Sequence, residues 1–177
     1  MGEPGGPALI ARARSGDKAA FEELLRPAIE PGARLAYGML LDRDAAEDAV
    51  QAAALKAWRR LGNLRPGADF RPWFFGIVAY ESRSVRRAGW RSVIRLEQLE
   101  WSSPPAQDAA VRGEDIRRAL RRLPANQRAA ILLHFYLDLP LAEVAASLGI
   151  SIPGAKSRIN RGLKRMRPSL KSYEALT

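Results

Sequence analysis

The sequence predicts an all-α protein made of two small helical domains joined by a flexible linker, the C-terminal domain being a helix-turn-helix. Three observations predict this fold class. Apolar residues recur at helical spacing through most of the chain, and no pair of alternating apolar runs meets at a tight hairpin turn. Residues 139–170 read as a short helix, a glycine turn and a strongly basic helix.

Capping residues and prolines define the first two helices. The first helix is predicted at residues 8–14, with a stop near Gly16, and Asp17 then caps the second. Pro27 and Pro31 are expected to bend or divide this second helix, because proline lacks a backbone donor and clashes with the preceding turn.

The third and fourth helices are predicted from the same kinds of signal. The third begins at Asp42 or Asp44, carries acids in its first turn and cations in its last, and ends at Gly62. A loop at residues 63–69 separates it from a fourth helix at about 71–88. These four helices form the predicted N-terminal domain.

A break in helical periodicity divides the chain. The first domain is placed at residues 8–90, the linker at 91–109, where Pro104 and Pro105 occur, and the second domain at 110–173. Helical pattern returns with Val111, and Pro124 begins a further helix that ends near Asp138.

The helix-turn-helix follows from local chemistry. Gly149 can adopt the left-handed conformation that ends a helix, Ser151 can cap the next helix, and Pro153 falls in its first turn. Recurrence at helical spacing predicts an inward apolar stripe of Ile159, Leu163, Met166 and Leu170. The remaining surface of this last helix is basic, which favours insertion into a DNA groove over a merely solvated helix, because a solvated face normally mixes charge signs.

The composition limits the possible partners. The chain has 177 residues, a formal net charge of +10 and no cysteine. The excess of positive charge favours a polyanionic partner, and the absence of cysteine excludes disulfides and thiolate metal sites. No apolar run approaches the length of a membrane span, so we expect a cytoplasmic protein without membrane insertion.

Several blocks together resemble the bacterial RNA polymerase sigma factors of the extracytoplasmic-function (ECF) type, in the sigma-70 superfamily. AEDAVQAAALKAW at 46–58 resembles the segment that binds core polymerase, and FRPWFFGIVAYESRSVRR at 70–87 resembles the segment that melts the promoter. LPANQRAAILL at 123–133 and LAEVAASLGISIPGAKSRINRGLKRM at 141–166 resemble the domain that reads the minus-thirty-five element.

The resemblance implies a transcription initiation factor, not an enzyme, and no cofactor or metal. Its expected partners are core RNA polymerase (the β′ clamp and the β flap), promoter DNA and an anti-sigma factor. It also assigns residues to three surfaces. For core polymerase they are Asp48, Gln51 and Leu55. For the minus-ten element they are Arg65, Phe70, Arg71, Tyr80, Arg83, Arg86 and Arg87. For the minus-thirty-five element they are Ser151, Gly154, Lys156, Ser157, Arg158, Arg161 and Lys164.

Three positions depart from the pattern of this family. Tyr80 stands where the family usually has Asn, at the position linked with a flipped minus-ten base, and a tyrosine cannot offer an amide's paired donor and acceptor. Gly154 replaces a threonine that often supports a DNA contact. Pro140 replaces a capping serine, so the first helix of the motif loses a cap unless Asp138 supplies one.

Other interpretations remain open from sequence alone. The chain could be a stand-alone regulator that binds DNA through its C-terminal domain, or a metal-dependent nuclease using the acids between Asp42 and Asp48. Aromatic residues at helical spacing are more often core than DNA contacts, which favours core positions for Trp58, Trp73 and Phe74. A packed or solvated role is expected for His134, the only histidine.

Overall fold

The computed structural model of the chain describes residues 6–88 and 116–174. In these two ranges the regular structure is entirely helical, which confirms the predicted all-α class. The predicted linker at 91–109 lies outside the described residues. The helices are α1 (Gly6–Arg14), α2 (Lys18–Leu40), α3 (Arg43–Arg60), α4 (Phe70–Ala88), α5 (residues 116–121), α6 (Ala125–Ile131), α7 (Leu141–Leu148) and α8 (Ile152–Glu174).

The predicted helix caps are confirmed where the structure records them. The Asp17 carboxylate accepts a hydrogen bond from the Ala20 amide at 3.1 Å, and Asp42, not Asp44, accepts from the Ala45 amide at 2.9 Å. The Ala20 amide and the Arg12 guanidinium, 2.7 Å from the carboxylate, hold the pKa of Asp17 below its usual value.

The predicted division of the second helix at its prolines is wrong. α2 runs without interruption from Lys18 to Leu40 and contains both Pro27 and Pro31. Its buried residues include Ala28, Gly32 and Leu35, and α2 packs closely on both α3 and α4. We infer that the free energy gained by burying this face of α2 exceeds the free energy lost with the backbone hydrogen bonds that the prolines cannot donate.

An aromatic cluster forms the core of the N-terminal half. The Phe70 and Phe74 rings stack with centroids 5.8 Å apart, and Phe21 meets Phe70 edge-to-face at 5.9 Å. Trp58 packs edge-to-face on Phe21 at 5.1 Å, which confirms the predicted core position of Trp58. Phe74 and Phe75 are fully buried, whereas Trp73 is half-buried beside Phe70.

The helix that follows Pro124 does not end as a regular α-helix. After α6 the chain widens into a π-helical turn at Leu132–Tyr136. His134 is half-buried, and its ring nitrogen Nδ1 lies 2.8 Å from the Leu139 carbonyl oxygen, so that of the two expected roles, packed or solvated, the structure favours the packed one. Asp138 has a positive φ of 53°, and this left-handed residue leads the chain towards α7.

The two halves of the described chain pack against each other. α4 lies on α7, while the C-terminal end of α2 contacts α6 and the π-helical turn. Across this contact the buried Arg128 donates a hydrogen bond to the Met39 carbonyl oxygen at 2.6 Å. We call this contact the interdomain seam. The sequence predicted two tethered domains and contained no signal that they would meet.

Candidate polymerase and nucleic-acid interfaces

The turn of the helix-turn-helix has the predicted geometry. Gly149 ends α7 in the left-handed conformation with φ of 61°. The Ser151 hydroxyl accepts a hydrogen bond from the Gly154 amide at 3.2 Å, and Pro153 lies in the first turn of α8. Pro140 stands at the start of α7 without a side-chain cap, as its substitution for serine implies. The start of α8 is therefore rigidly defined by its own sequence.

One part of the predicted apolar stripe of α8 is wrong. Leu163 is 38% exposed, and within residues 152–167 the buried positions are Ala155, Ile159, Gly162 and Met166. The side chain of Leu170, also assigned to the stripe, lies outside the described part of the helix. Gly162 permits a close approach of helices, because a Cβ at this position would lie 2.5 Å from Cδ1 of Ile131. The buried stripe of α8 therefore includes two small residues, Ala155 and Gly162, which a pattern of large apolar residues does not detect.

The opposite face of α8 presents the residues assigned to the minus-thirty-five element. Five of these seven residues are exposed, and Arg158 is half-buried at the edge of this face. The Arg161 Nε donates to the Ser157 carbonyl oxygen at 3.3 Å, which orients that guanidinium along the helix. The exposed set comprises Ser151, Lys156, Ser157, Arg161 and Lys164, with Gly154 partly covered.

The residues assigned to core polymerase share one face of α3. Asp48, Gln51 and Leu55 are spaced three and four apart, so they follow each other along the helix surface. Asp48 and Gln51 are half-buried, and the Leu55 side chain is 50% exposed. Leu55 is therefore a large apolar side chain left uncovered between polar neighbours on this helix face.

The residues assigned to the minus-ten element do not all reach the surface. Arg65, Arg71 and Tyr80 are exposed and Arg83 is half-buried. Phe70 is only 5% exposed and belongs to the aromatic core, so its assignment as a DNA contact is corrected: the ring anchors the start of α4. Arg86 and Arg87 lie in the last turn of α4, and their side chains are outside the described part.

Tyr80 is flanked by cations. Its ring is 54% exposed, the Lys56 Nζ lies 4.2 Å from the ring centroid, and the Arg83 guanidinium carbon lies 5.9 Å from it. Lys56 also forms an ion pair with Glu81 at 2.5 Å between α3 and α4. The sequence does not predict that Lys56 lies beside Tyr80, because this proximity depends on how α3 and α4 pack.

A cleft of about 340 Å³ adjoins this ring. Lys56, Arg60, Arg83, Trp73 and Tyr80 line one side of it, and α7 supplies the other through its last turn and Gly149. In such an arrangement the aromatic ring can stack on a base while the neighbouring cations bind the phosphates beside that base.

The described residues contain no group of three or more histidine, cysteine or acidic side chains placed to hold a metal ion. Of the acids from Asp42 to Asp48, Asp42 caps α3 and Glu47 pairs with Arg43 at 3.1 Å. Across residues 6–88 and 116–174, no helix is long and apolar enough to cross a membrane.

The fold and these surfaces define a helical DNA-binding protein that has a helix-turn-helix and, across a cleft from the end of α7, an exposed aromatic ring flanked by cations. Comparison with known sequences agrees. The Sigma-70 region 2 family model matches residues 32–92, and the Sigma-70, region 4 model matches residues 113–166.

Curated relatives give the same family. The chain is 31% identical to the ECF RNA polymerase sigma factor SigE of Mycolicibacterium smegmatis, over 99% of this chain and 71% of the relative. It is 32% identical to the ECF RNA polymerase sigma factor SigM of Mycobacterium tuberculosis, over 89% and 81% of the two chains. The chain belongs to the ECF RNA polymerase sigma factors and is a promoter-directing factor; a stand-alone regulator is not favoured.

Solved structures show the same fold. RpoE of Bartonella quintana, solved with the anti-sigma factor NepR, matches with a TM-score of 0.66 and 28% identity, over 85% of this chain and 96% of that chain. CnrH, solved with the cytosolic domain of CnrY, matches with a TM-score of 0.73 and 24% identity, over 96% and 99%.

Proposed function

We propose that the chain divides promoter recognition among three of its helices. α3 binds core RNA polymerase at the β′ clamp, α4 holds the opened minus-ten element, and α8 reads the minus-thirty-five element in the major groove, with the C-terminal domain docked on the β flap. The observation that carries this proposal is the outward face of α8, where Lys156, Ser157 and Arg161 are exposed on a helix whose other side is buried. An isolated basic face of this kind fits a DNA groove.

The platform at Tyr80 supports the assignment of α4. Promoter opening requires that unpaired bases be held outside the stack, and proteins hold such bases on aromatic rings within a basic groove. Lys56 and Arg83 beside the ring are placed to neutralise the phosphates next to a stacked base. Tyr80 therefore replaces the usual asparagine by stacking instead of by paired hydrogen bonds.

The remaining parts of the proposal follow from family membership. The protein acts in the cytoplasm as an initiation factor without catalysis of its own or a cofactor. An anti-sigma factor is its expected inhibitor, because the sigma factor RpoE, which is similar to this chain in fold and sequence, was solved with the anti-sigma factor NepR.

In vitro transcription tests this function. Bacterial core polymerase is incubated with a genomic fragment library, with and without the protein, and the transcript starts are sequenced. New starts that share two upstream elements at a fixed spacing are expected only when the protein is present. If the protein binds DNA tightly alone but produces no new starts, the stand-alone regulator is correct instead.

The α3 face is tested by a double substitution. Asp48→Ala with Gln51→Ala is expected to weaken binding to core polymerase about tenfold or more, because truncating a hot-spot residue near the centre of an interface costs about 2 kcal/mol or more. Affinity is measured with labelled protein and core polymerase. Glu22→Ala with Asn126→Ala, an exposed acid and an exposed amide elsewhere, is the matched control. Equal affinity for both double variants would remove α3 from the interface.

Tyr80→Asn is expected to change the preferred base at one minus-ten position. The substitution removes a stacking surface worth about 1–3 kcal/mol per base and introduces an amide. Transcription is measured from templates that carry each base at every minus-ten position. Tyr80→Phe is the control and should retain the original preference, because the ring remains. Identical base preferences for Tyr80→Asn and the original protein would show that Tyr80 is not a reader.

A further inference from the structure

The first turn of α8 differs in chemistry from the rest of the outward face of this helix. The helix begins at Ile152, and the side chains of Ile152 and Pro153 are both exposed. The first charged side chain of the helix is that of Lys156, so the turn before it carries no charge. We call Ile152 and Pro153 the apolar tip of α8.

Ile152 is the side chain with which this turn can reach another molecule. It is 50% exposed, whereas Ala155 is fully buried and Gly154 has no side chain. The hydroxyl of the capping Ser151 already accepts a hydrogen bond from the Gly154 amide at 3.2 Å. The first turn therefore offers a branched apolar side chain where the following turns offer cations.

The stability of the helix does not explain an isoleucine at this position. A β-branched side chain loses rotamer freedom in a helix, and isoleucine is a weaker helix former than alanine or leucine. The buried side of α8 is supplied instead by Ala155, Ile159 and Met166. Half of the Ile152 side chain is thus left in water, and a binding partner could cover it.

A DNA groove presents matching chemistry to the apolar tip and to the cations that follow it. The N-terminal residues of a recognition helix meet the edges of the bases in the major groove, whereas cations bind mainly the phosphates at its margins. The apolar group displayed on those base edges is the C5 methyl of thymine. Ile152 and Lys156 are four residues apart and therefore neighbours on the helix surface, so an apolar and a cationic contact lie side by side.

We propose that Ile152 is a specificity-determining residue that contacts the C5 methyl group of a thymine in the minus-thirty-five element. The inference deepens the role proposed for α8 and rests on it. It adds an apolar contact to an assigned set that otherwise consists of serines, a glycine and basic residues. The consequence is a preference for thymine at one position that depends on its methyl group and not on its hydrogen-bonding edge.

Substitution in the DNA isolates this methyl group. Deoxyuridine differs from thymidine only in lacking the C5 methyl, so each thymine of the minus-thirty-five element is replaced singly in a promoter fragment recovered in the library experiment. The affinity of holoenzyme for each labelled fragment is measured by titration. At one position deoxyuridine is expected to weaken binding by the original protein about fourfold, the factor for burying one methyl-sized group.

Variants of the protein assign the contact to Ile152. Ile152→Ala is expected to bind the thymine and deoxyuridine fragments equally, and Ile152→Val, which keeps a branched apolar side chain, should restore most of the discrimination. Ile116→Ala makes the same change at a residue of α5 that is 44% exposed, and as the matched control it should retain the full fourfold ratio. A purely structural effect would weaken binding to all fragments alike and leave this ratio unchanged. Circular dichroism verifies that each variant is folded.

Each outcome decides the proposal. Equal affinity of the original protein for all deoxyuridine fragments, or a minus-thirty-five element without a preferred thymine, would overturn it. A fourfold ratio that persists in folded Ile152→Ala would assign the methyl contact to another residue and would also overturn it.

A triple variant separates this failure from a failure of the role proposed for α8. If Lys156→Ala with Arg158→Ala and Arg161→Ala loses promoter affinity while deoxyuridine has no effect in the original protein, α8 reads the element and only the role of Ile152 is wrong. If the triple variant keeps full affinity, α8 does not read the element and both proposals fail. If the library yields no promoter, the proposed function fails and the role of Ile152 with it.

Discussion

Phe74→Ala is expected to lower the free energy of unfolding by about 3–5 kcal/mol, the range for truncating a fully buried aromatic side chain. Phe74 is completely buried: its ring stacks on Phe70 at the start of α4, and the edge of the ring lies against Gly32 of α2. Because Gly32 has no side chain that could move into the space left by the removed ring, the cavity cannot readily collapse. Urea denaturation followed by circular dichroism measures the loss.

Phe135→Ala is the matched control for this prediction. It removes the same side chain from a position that is 59% exposed, in the π-helical turn of the other half. Its effect on unfolding should be within about 0.5 kcal/mol, as for most surface substitutions. A cost below about 1 kcal/mol for Phe74→Ala would mean that α4 is not anchored through this ring.

The second large effect is expected at α8. Replacing Lys156, Arg158 and Arg161 together by alanine should weaken the affinity of holoenzyme for its promoter by about 100-fold or more at moderate salt, since each good base contact contributes about 1–3 kcal/mol. The slope of log affinity against log salt should also become less steep, by about 0.9 for each phosphate contact removed. Both quantities are measured by titration with a labelled promoter fragment.

A variant that loses three positive charges from helices other than α8 provides the control. Lys18, Arg26 and Arg122 are exposed cations on other elements, and their joint replacement by alanine should leave promoter affinity nearly unchanged. Arg158→Ala alone should relax sequence choice at one minus-thirty-five position. A uniform loss across all promoter variants would assign Arg158 to phosphate contacts, and an equal loss in both triple variants would remove α8 from the interface.

Local chemistry explains why much of the fold could be predicted from the sequence. Asp17, Asp42 and Ser151 accept the amide hydrogen bonds expected of capping residues, and Gly149 takes the left-handed conformation that ends α7. Such signals involve only three or four neighbouring residues, so they can be recognised in the sequence without knowledge of the tertiary structure. The basic character of the outward face of α8 could also be recognised from the sequence, whereas the DNA-contacting roles of its residues were assigned by the family resemblance and stay predictions.

The predictions that failed all depend on contacts between distant residues. Phe70 was assigned to DNA, but packing against Phe21 and Phe74 places its ring in the core. Leu163 was assigned to the core, but Gly162 meets Ile131 and turns Leu163 towards the surface. Helical spacing identifies a face, whereas the neighbouring helix decides which residues of that face are covered.

By itself, the sequence determined the helices, the basic recognition helix and the resemblance to ECF sigma factors, because caps, turns and charge patterns are properties of short segments. Only the tertiary structure decided that α2 continues through its prolines, that Lys56 lies beside Tyr80, and that Gly76 meets the backbone of Ser147. These are contacts between helices that are distant in the chain, and their energies depend on packing that no local pattern encodes.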